Sequence, residues 1–124
     1  MPESAPGQNR RVCGQQGEDM AADYLTRRGV RILARNFRDR DGEIDLVGEQ
    51  DGTILFIEVK YRRDDRYGSP AEAVTAGKQK SICRTALYYL HLHHCPEQQP
   101  ARFDVVSISG KDVQWLRNAF PFVR

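Results

Sequence analysis

Hydrophobic and polar positions change their period several times along the chain. From about Gly14 to Arg28, Met20, Tyr24 and Leu25 fall at helical spacing with Ala21 beside them, and Gly29 supplies a stop, so a helix is predicted. Val30 to Phe37 is short and apolar-rich, which predicts a strand, and Arg38-Asp39-Arg40-Asp41-Gly42 reads as a turn. Two β-forming runs follow, Glu43 to Val47 and Thr53 to Lys60. The Asp51-Gly52 pair between them is among the strongest short hairpin signals. After a polar loop from Tyr61 to Ser69, Pro70 opens a helical stretch to about His94. Val74, Ile82, Ala86, Tyr89 and Leu90 form its apolar stripe, and Pro96 ends it. Arg102 to Ile108 predicts a further strand, and Val113 to Leu116 a short last one. The order is α-β-β-β-α-β. A helical crossover from the third strand to the fourth favours parallel pairing, so the expected fold is α/β, with a mixed central sheet flanked by helices.

The hairpin register has a chemical consequence. With Asp51 and Gly52 as the loop residues, Gln50 pairs with Thr53, which sets Asp45 opposite Glu58 and Glu43 opposite Lys60. Glu43, Asp45, Val47, Ile54, Phe56, Glu58 and Lys60 then share one face, and Ile44, Leu46, Leu55, Ile57, Val59 and Tyr61 the other. Both faces are largely apolar, so these strands should be central and covered on both sides. An exposed hairpin with an ordinary Glu–Lys ladder would instead be polar on one side. Two carboxylates directly opposite repel, and partial burial makes the repulsion worse. Lys60 supplies one compensating charge. A hard divalent cation would supply two more and take oxygen ligands.

Composition sets the frame around this cluster. The chain has 124 residues, 40% hydrophobic and 29% charged, which fits one globular domain. The opening MPESAPGQNRR has no apolar stretch behind its charges, so it is not a secretory signal. It reads as a disordered leader over residues 1–12, with the domain over 13–124. No apolar run approaches the length of a membrane span. The 3 cysteines, Cys13, Cys83 and Cys95, are odd in number and far apart, which points to a reducing, cytoplasmic setting. Net charge is only +2, but basic residues cluster. Arg27, Arg28, Arg31, Arg35, Arg38 and Arg40 share a stretch whose one acid is Asp39. Arg62, Arg63, Arg66, Lys78, Lys80 and Arg84 form a second group. Such patches suit a polyanion, although solvated arginines on exposed faces give the same pattern. His91, His93, His94 and Cys95 have metal-like spacing, but histidines at a helix C-terminus are well explained by its dipole.

Gly42-Glu43-Ile44-Asp45-Leu46 followed by Ile57-Glu58-Val59-Lys60 resembles the PD-(D/E)XK nuclease superfamily, with its restriction-endonuclease-like αβββαβ core. The wider pattern takes in Gly17-Glu18, Arg35-Asn36-Phe37, Gly68-Ser69-Pro70, Lys78-Gln79, Arg102-Phe103-Asp104-Val105-Val106 and Asn118-Ala119-Phe120. It resembles the YraN family, which is similar to archaeal Holliday junction resolvases. The resemblance implies a metal-dependent endonuclease hydrolysing DNA, on branched or structured forms, with Mg2+ or Mn2+ as cofactor. Asp45 and Glu58 would be metal ligands, Lys60 would orient or deprotonate the attacking water, and Glu18 would complete the site. Arg62, Arg63, Arg66, Lys78 and Gln79 would hold nucleic acid. A binding module of the same fold that does not cut is the alternative. RNA as partner and a homodimer stay open. Ile44 stands where many members of the superfamily carry proline.

Overall fold

In a computed structural model, residues 6–62 and 74–122 are described, with side chains described for 15–61 and 74–122. The apolar positions of the strands fall on both sides of one sheet, so each side needs a cover, and each of the two helices supplies one. The elements are α1 (Pro6–Arg27), β1 (Arg31–Arg38), β2 (Glu43–Gln50), β3 (Thr53–Arg62), α2 (Ala76–Leu92), β4 (Ala101–Ser109) and β5 (Asp112–Phe120). They form a five-stranded sheet in the order β1-β2-β3-β4-β5. β3 and β4 run parallel, as the helical crossover implied, and the other neighbours are antiparallel.

The register of the hairpin follows its turn. Asp51 and Gly52 have φ of 52° and 81°, and Gln50 pairs with Thr53 through to Leu46 with Ile57. Two positive φ values in a two-residue loop match the twist of the flanking strands, which is why Asp-Gly is favoured there. On one side of the sheet, Val47, Ile54, Phe56, Phe103 and Val105 pack with Ile82, Cys83, Ala86 and Tyr89 of α2. On the other, Leu46, Leu55, Ile57, Val106 and Ile108 pack with Ala21, Ala22 and Leu25 of α1. β2 and β3 are therefore central and covered on both faces.

Three boundaries differ from expectation. α1 starts at Pro6, well before Gly14, and of the expected leader residues 1–5 lie outside the described residues. α2 begins at Ala76 with Thr75 as its N-cap, whose hydroxyl accepts the Lys78 N–H at 3.2 Å; Pro70, the expected start, lies outside the described residues. β5 is a full edge strand rather than the short run Val113–Leu116. Its apolar pattern breaks at Arg117 and Asn118 because the strand bulges there: the register shifts between Phe103 and Val105, and Asn118 has φ 53°. The fully buried carboxylate of Asp104 holds the bulge. It accepts the Asn118 N–H at 2.8 Å, the Trp115 Nε1–H at 2.9 Å and the Arg102 Nε–H at 3.0 Å.

Candidate functional site

The site forms where β2 leaves β3. Their ladder ends at Leu46 with Ile57, while β2 stays paired to β1 as far as Glu43 with Arg38. Beyond that point the strict alternation of β2 fails. Ile44 is buried in the α2-side cluster with Val47, three residues on, and Glu43 faces the α1 side. The expected sharing of faces by Glu43 with Val47, and by Ile44 with Leu46, is thus corrected. The divergence of the strands re-aims both side chains. Asp45 and Glu58 are charge-coupled at the opening, Asp45 lining the α1-side cleft and Glu58 turned to α2, rather than rungs of a continuous ladder.

The turn before β2 is anchored by α2. Asp39 accepts N–H groups from Asp41 at 2.9 Å and Gly42 at 3.0 Å, and the Thr85 hydroxyl at 2.8 Å. Burial works against that charge, but the hydroxyl and the two amides hold the Asp39 carboxyl below its ordinary range. The Ser81 hydroxyl donates to the Asp41 carbonyl, and a side chain on Gly42 would collide with it. Two turns of helix thereby fix the start of Glu43-Ile44-Asp45.

Asp45 accepts the Val59 N–H at 2.8 Å. Its carboxylate stands in for a main-chain partner just where the ladder has stopped. Burial, and then the Glu58 charge, push its pKa up from 3.8 to about 7, while the Val59 amide works the other way. Glu18 and Lys78 also act on it, so Asp45 stands between the groups of the two helices.

Glu58 is 5% exposed and faces α2. Its Oε1 lies 2.6 Å from Lys78 Nζ and 3.7 Å from Lys60 Nζ. Burial and then the neighbouring Lys78 hold the Lys60 pKa below its ordinary value. Burial also opposes the Lys78 charge, but Glu58 outweighs it and raises that pKa.

On the α1 side an open cleft of about 730 Å³ is lined by Glu18, Asn36, Glu43, Asp45, Val59 and Tyr61. Asn36, with φ 53°, turns its amide nitrogen to Glu18 Oε1 at 2.6 Å and Glu43 Oε1 at 2.8 Å. Burial and the Glu43 charge raise the Glu18 pKa, which Arg35 partly offsets. Glu18 and Asp45 line the same cleft, and the Glu18 charge acts on Asp45. Asn36 and Glu43 were missed as site residues, because only the chain's divergence turns Glu43 away from Val47. An asparagine inside a strand run, a residue type enriched at positive φ, was the available signal.

The Gln79 amide nitrogen donates to the Val74 carbonyl at 3.0 Å and so belongs to the entry of α2. The Arg62 side chain, Arg63, Arg66 and Gly68 to Pro70 lie outside the described residues. Four arginines of the basic stretch from Arg27 to Arg40 pair with acids, two of them near in sequence and two distant. Arg31 pairs with Glu49 at 3.0 Å, Arg38 with Glu43 at 3.3 Å, and Arg35 with Asp19. Arg27 pairs with Asp23 at 3.1 Å, and Arg28 stacks on Tyr24 at 3.5 Å.

The donor set fits a hard divalent cation. A buried carboxylate, Glu58, is charge-coupled to a half-buried one, Asp45, which lines the cleft and is pushed toward protonation by burial and then by the Glu58 charge. Among the described residues no three His, Cys, Asp or Glu side chains form a ready cage. Magnesium does not require one, since it is usually held by one or two carboxylates, keeps waters and takes phosphate oxygens. Asp45 and Glu58 would hold it.

Among the described residues no helix is long and apolar enough to cross a membrane. A family model described as "Uncharacterised protein family UPF0102" matches residues 17–108. The chain is 46% identical to a UPF0102 protein of Lachnoclostridium phytofermentans over 112 residues, covering 90% of this chain and 95% of the relative. It is 49% identical to UPF0102 protein STH1475 of Symbiobacterium thermophilum, covering 90% and 98%. UPF0102 protein VP0448 of Vibrio parahaemolyticus is 43% identical over 113 residues, covering 90% and 93%.

Proposed function

The chain belongs to the uncharacterised protein family UPF0102, and from the chemistry of its site we propose that it is a metal-dependent nuclease hydrolysing phosphodiester bonds in DNA. The observation that carries this reading is the pairing of Asp45 with Glu58 at the opening of a central hairpin, with two lysines on Glu58 and a cleft on the other side. A binding protein gains nothing from two charge-coupled acids that repel each other and repel phosphate. An enzyme gains a cation site whose charge balance is completed only when the cation and a phosphodiester are present. The restriction-endonuclease-like core and the likeness to junction resolvases belong to the same proposal.

The reaction is in-line attack of water on a scissile phosphate, leaving 5′-phosphate and 3′-hydroxyl ends. Magnesium or manganese, when bound, supplies Lewis acidity toward the phosphate and a water of lowered pKa. Asp45, held by the Val59 amide, and Glu58 would hold the ion through their carboxylate oxygens. Lys60, at the rim of the same carboxylate, stabilises the charge that builds on the phosphate oxygens. Burial and the neighbouring Lys78 hold its pKa below the ordinary value. Glu18, kept beside Asp45 by Asn36, makes up the α1 wall. Branched or otherwise structured DNA is the proposed substrate form.

The test is a screen of linear, single-stranded, flapped and four-way DNA, and of RNA, with magnesium or manganese. Metal-dependent cutting of one of the DNA forms is expected. Clear DNA binding with no cutting under any condition would favour the non-catalytic module instead. If neither occurs, the nucleic-acid reading is wrong.

A further inference from the structure

Two ammonium groups converge on a single carboxylate oxygen in this protein. Lys60 reaches Glu58 along its own strand, two residues on, and is 25% exposed at its side chain. Lys78 reaches it from the first turn of α2, makes the shorter contact at 2.6 Å, and is 42% exposed. The two lysines are therefore unequal. Lys60 is fixed by β3, whereas Lys78 projects from a helix end into partly open space on a flexible four-carbon stem. Its own helix does not favour that position. A cation in the first turn is opposed by the helix dipole, and that turn contains no acidic residue. The Glu58 carboxylate, with the Asp45 charge behind it, accounts for where the Lys78 ammonium sits.

A divalent cation on Glu58 competes with the Lys78 ammonium for the same carboxylate, and the two positive charges repel each other at that distance. We propose that Lys78 is a displaceable counter-ion: it closes on Glu58 in the metal-free protein, is expelled when a divalent cation binds at Asp45 and Glu58, and is then free to take a phosphate oxygen. This rests on the reading of Asp45 and Glu58 as cation ligands. It goes further in assigning Lys78 two alternative partners and making cation binding the event that arms it for phosphate. The protein thereby avoids an uncompensated buried carboxylate before the cation arrives, and it holds metal less tightly than its oxygens alone would allow.

Lys78→Met keeps the length of the stem and removes the charge. Calorimetric titration with Mn2+ alone, without DNA, compares it with the unmodified protein. Losing a competing charge-assisted hydrogen bond should tighten Mn2+ binding roughly ten- to a hundredfold. In parallel, 15N-lysine NMR of the unmodified protein follows the Lys78 ammonium during a Mg2+ titration. Its signal should move and lose protection from exchange in step with metal binding, while that of Lys60 changes less. Equal or weaker Mn2+ affinity in Lys78→Met, or a Lys78 signal unmoved at saturating Mg2+, overturns the displacement while leaving the metal site standing. If neither protein binds Mn2+, the metal reading itself fails and the displacement with it. Should Lys78→Met not fold, the NMR titration decides alone.

Discussion

Asp45→Asn should make the metal-free protein more stable above neutral pH, although it damages the proposed site. The amide oxygen of the substituted side chain can still accept the Val59 N–H, so the local hydrogen bond is kept. What disappears is a buried negative charge beside Glu58. In the native protein Asp45 holds its proton up to about pH 7, whereas in the unfolded chain it loses it near 3.8. Between those limits the native state binds the extra proton, so stability falls as pH rises and the loss is complete above the native pKa. The full loss is on the order of 4 kcal/mol, from about 1.36 kcal/mol per tenfold change in proton affinity. The substituted chain has no such group to titrate. Urea denaturation in EDTA from about pH 5 to pH 8 should therefore give a wild-type stability that declines across the range. The Asp45→Asn profile should be flatter, similar to wild type at the acid end and higher by a few kcal/mol at the alkaline end. Added magnesium should restore the wild type and leave the variant unchanged. Parallel pH profiles, or a variant less stable at the alkaline end, would refute the account of Asp45 as a buried carboxylate strained by Glu58.

Lys60→Ala should stop DNA cleavage yet leave Mn2+ affinity within a few-fold of wild type, because lysine acts on the transition state without ligating the ion; a large loss of Mn2+ binding would contradict that role. Replacing Arg62, Arg63 and Arg66 together by neutral residues should weaken DNA binding and flatten its salt dependence by a slope of about one per lost phosphate contact; an unchanged slope would place the nucleic acid elsewhere. Asp104→Ala should cost about 3–5 kcal/mol in urea denaturation, since it strands the Arg102 guanidinium, the Trp115 N–H and the Asn118 N–H at the bulge of β5. A cost within about 1 kcal/mol would mean that other groups hold the edge strand. Asn36→Ala should lose about 1–2 kcal/mol in urea denaturation at neutral pH by removing the bridge between Glu18 and Glu43; a change within about 0.5 kcal/mol would mean that the bridge carries no weight.

The hairpin was legible because its information is local. Asp51-Gly52 dictates the turn, the turn dictates that Leu46 meets Ile57, and two apolar faces dictate burial in the centre of the sheet. The site was legible only in part. Extending the register to Asp45 and Glu58 assumed that the strands stay together, and they separate one residue earlier. Whether a strand departs from its neighbour depends on what draws it away. Here Ser81 and Thr85 of α2 grip the turn at Asp39 to Gly42 from 40 or more residues downstream, which no short pattern encodes. The same limit explains the arginines. Counted along the chain, Arg27 to Arg40 is a basic block. In the fold, Asp19 of α1 and Glu49 of β2 lie against it from 16 and 18 residues away, beside the nearer Asp23 and Glu43. The end of the chain was under-read for a related reason: a bulge at Asn118 breaks the alternation by which strands are recognised, and a buried Asp104 compensates it.

The most direct test of the central claim compares the unmodified protein with Asp45→Asn on one DNA substrate, with magnesium, with manganese and with EDTA, under conditions where both proteins bind. The account predicts cutting by the unmodified protein that depends on the metal and leaves 5′-phosphate and 3′-hydroxyl ends, and DNA binding without cutting by Asp45→Asn. Equal cutting by the two proteins, or cutting that persists in EDTA, would contradict it.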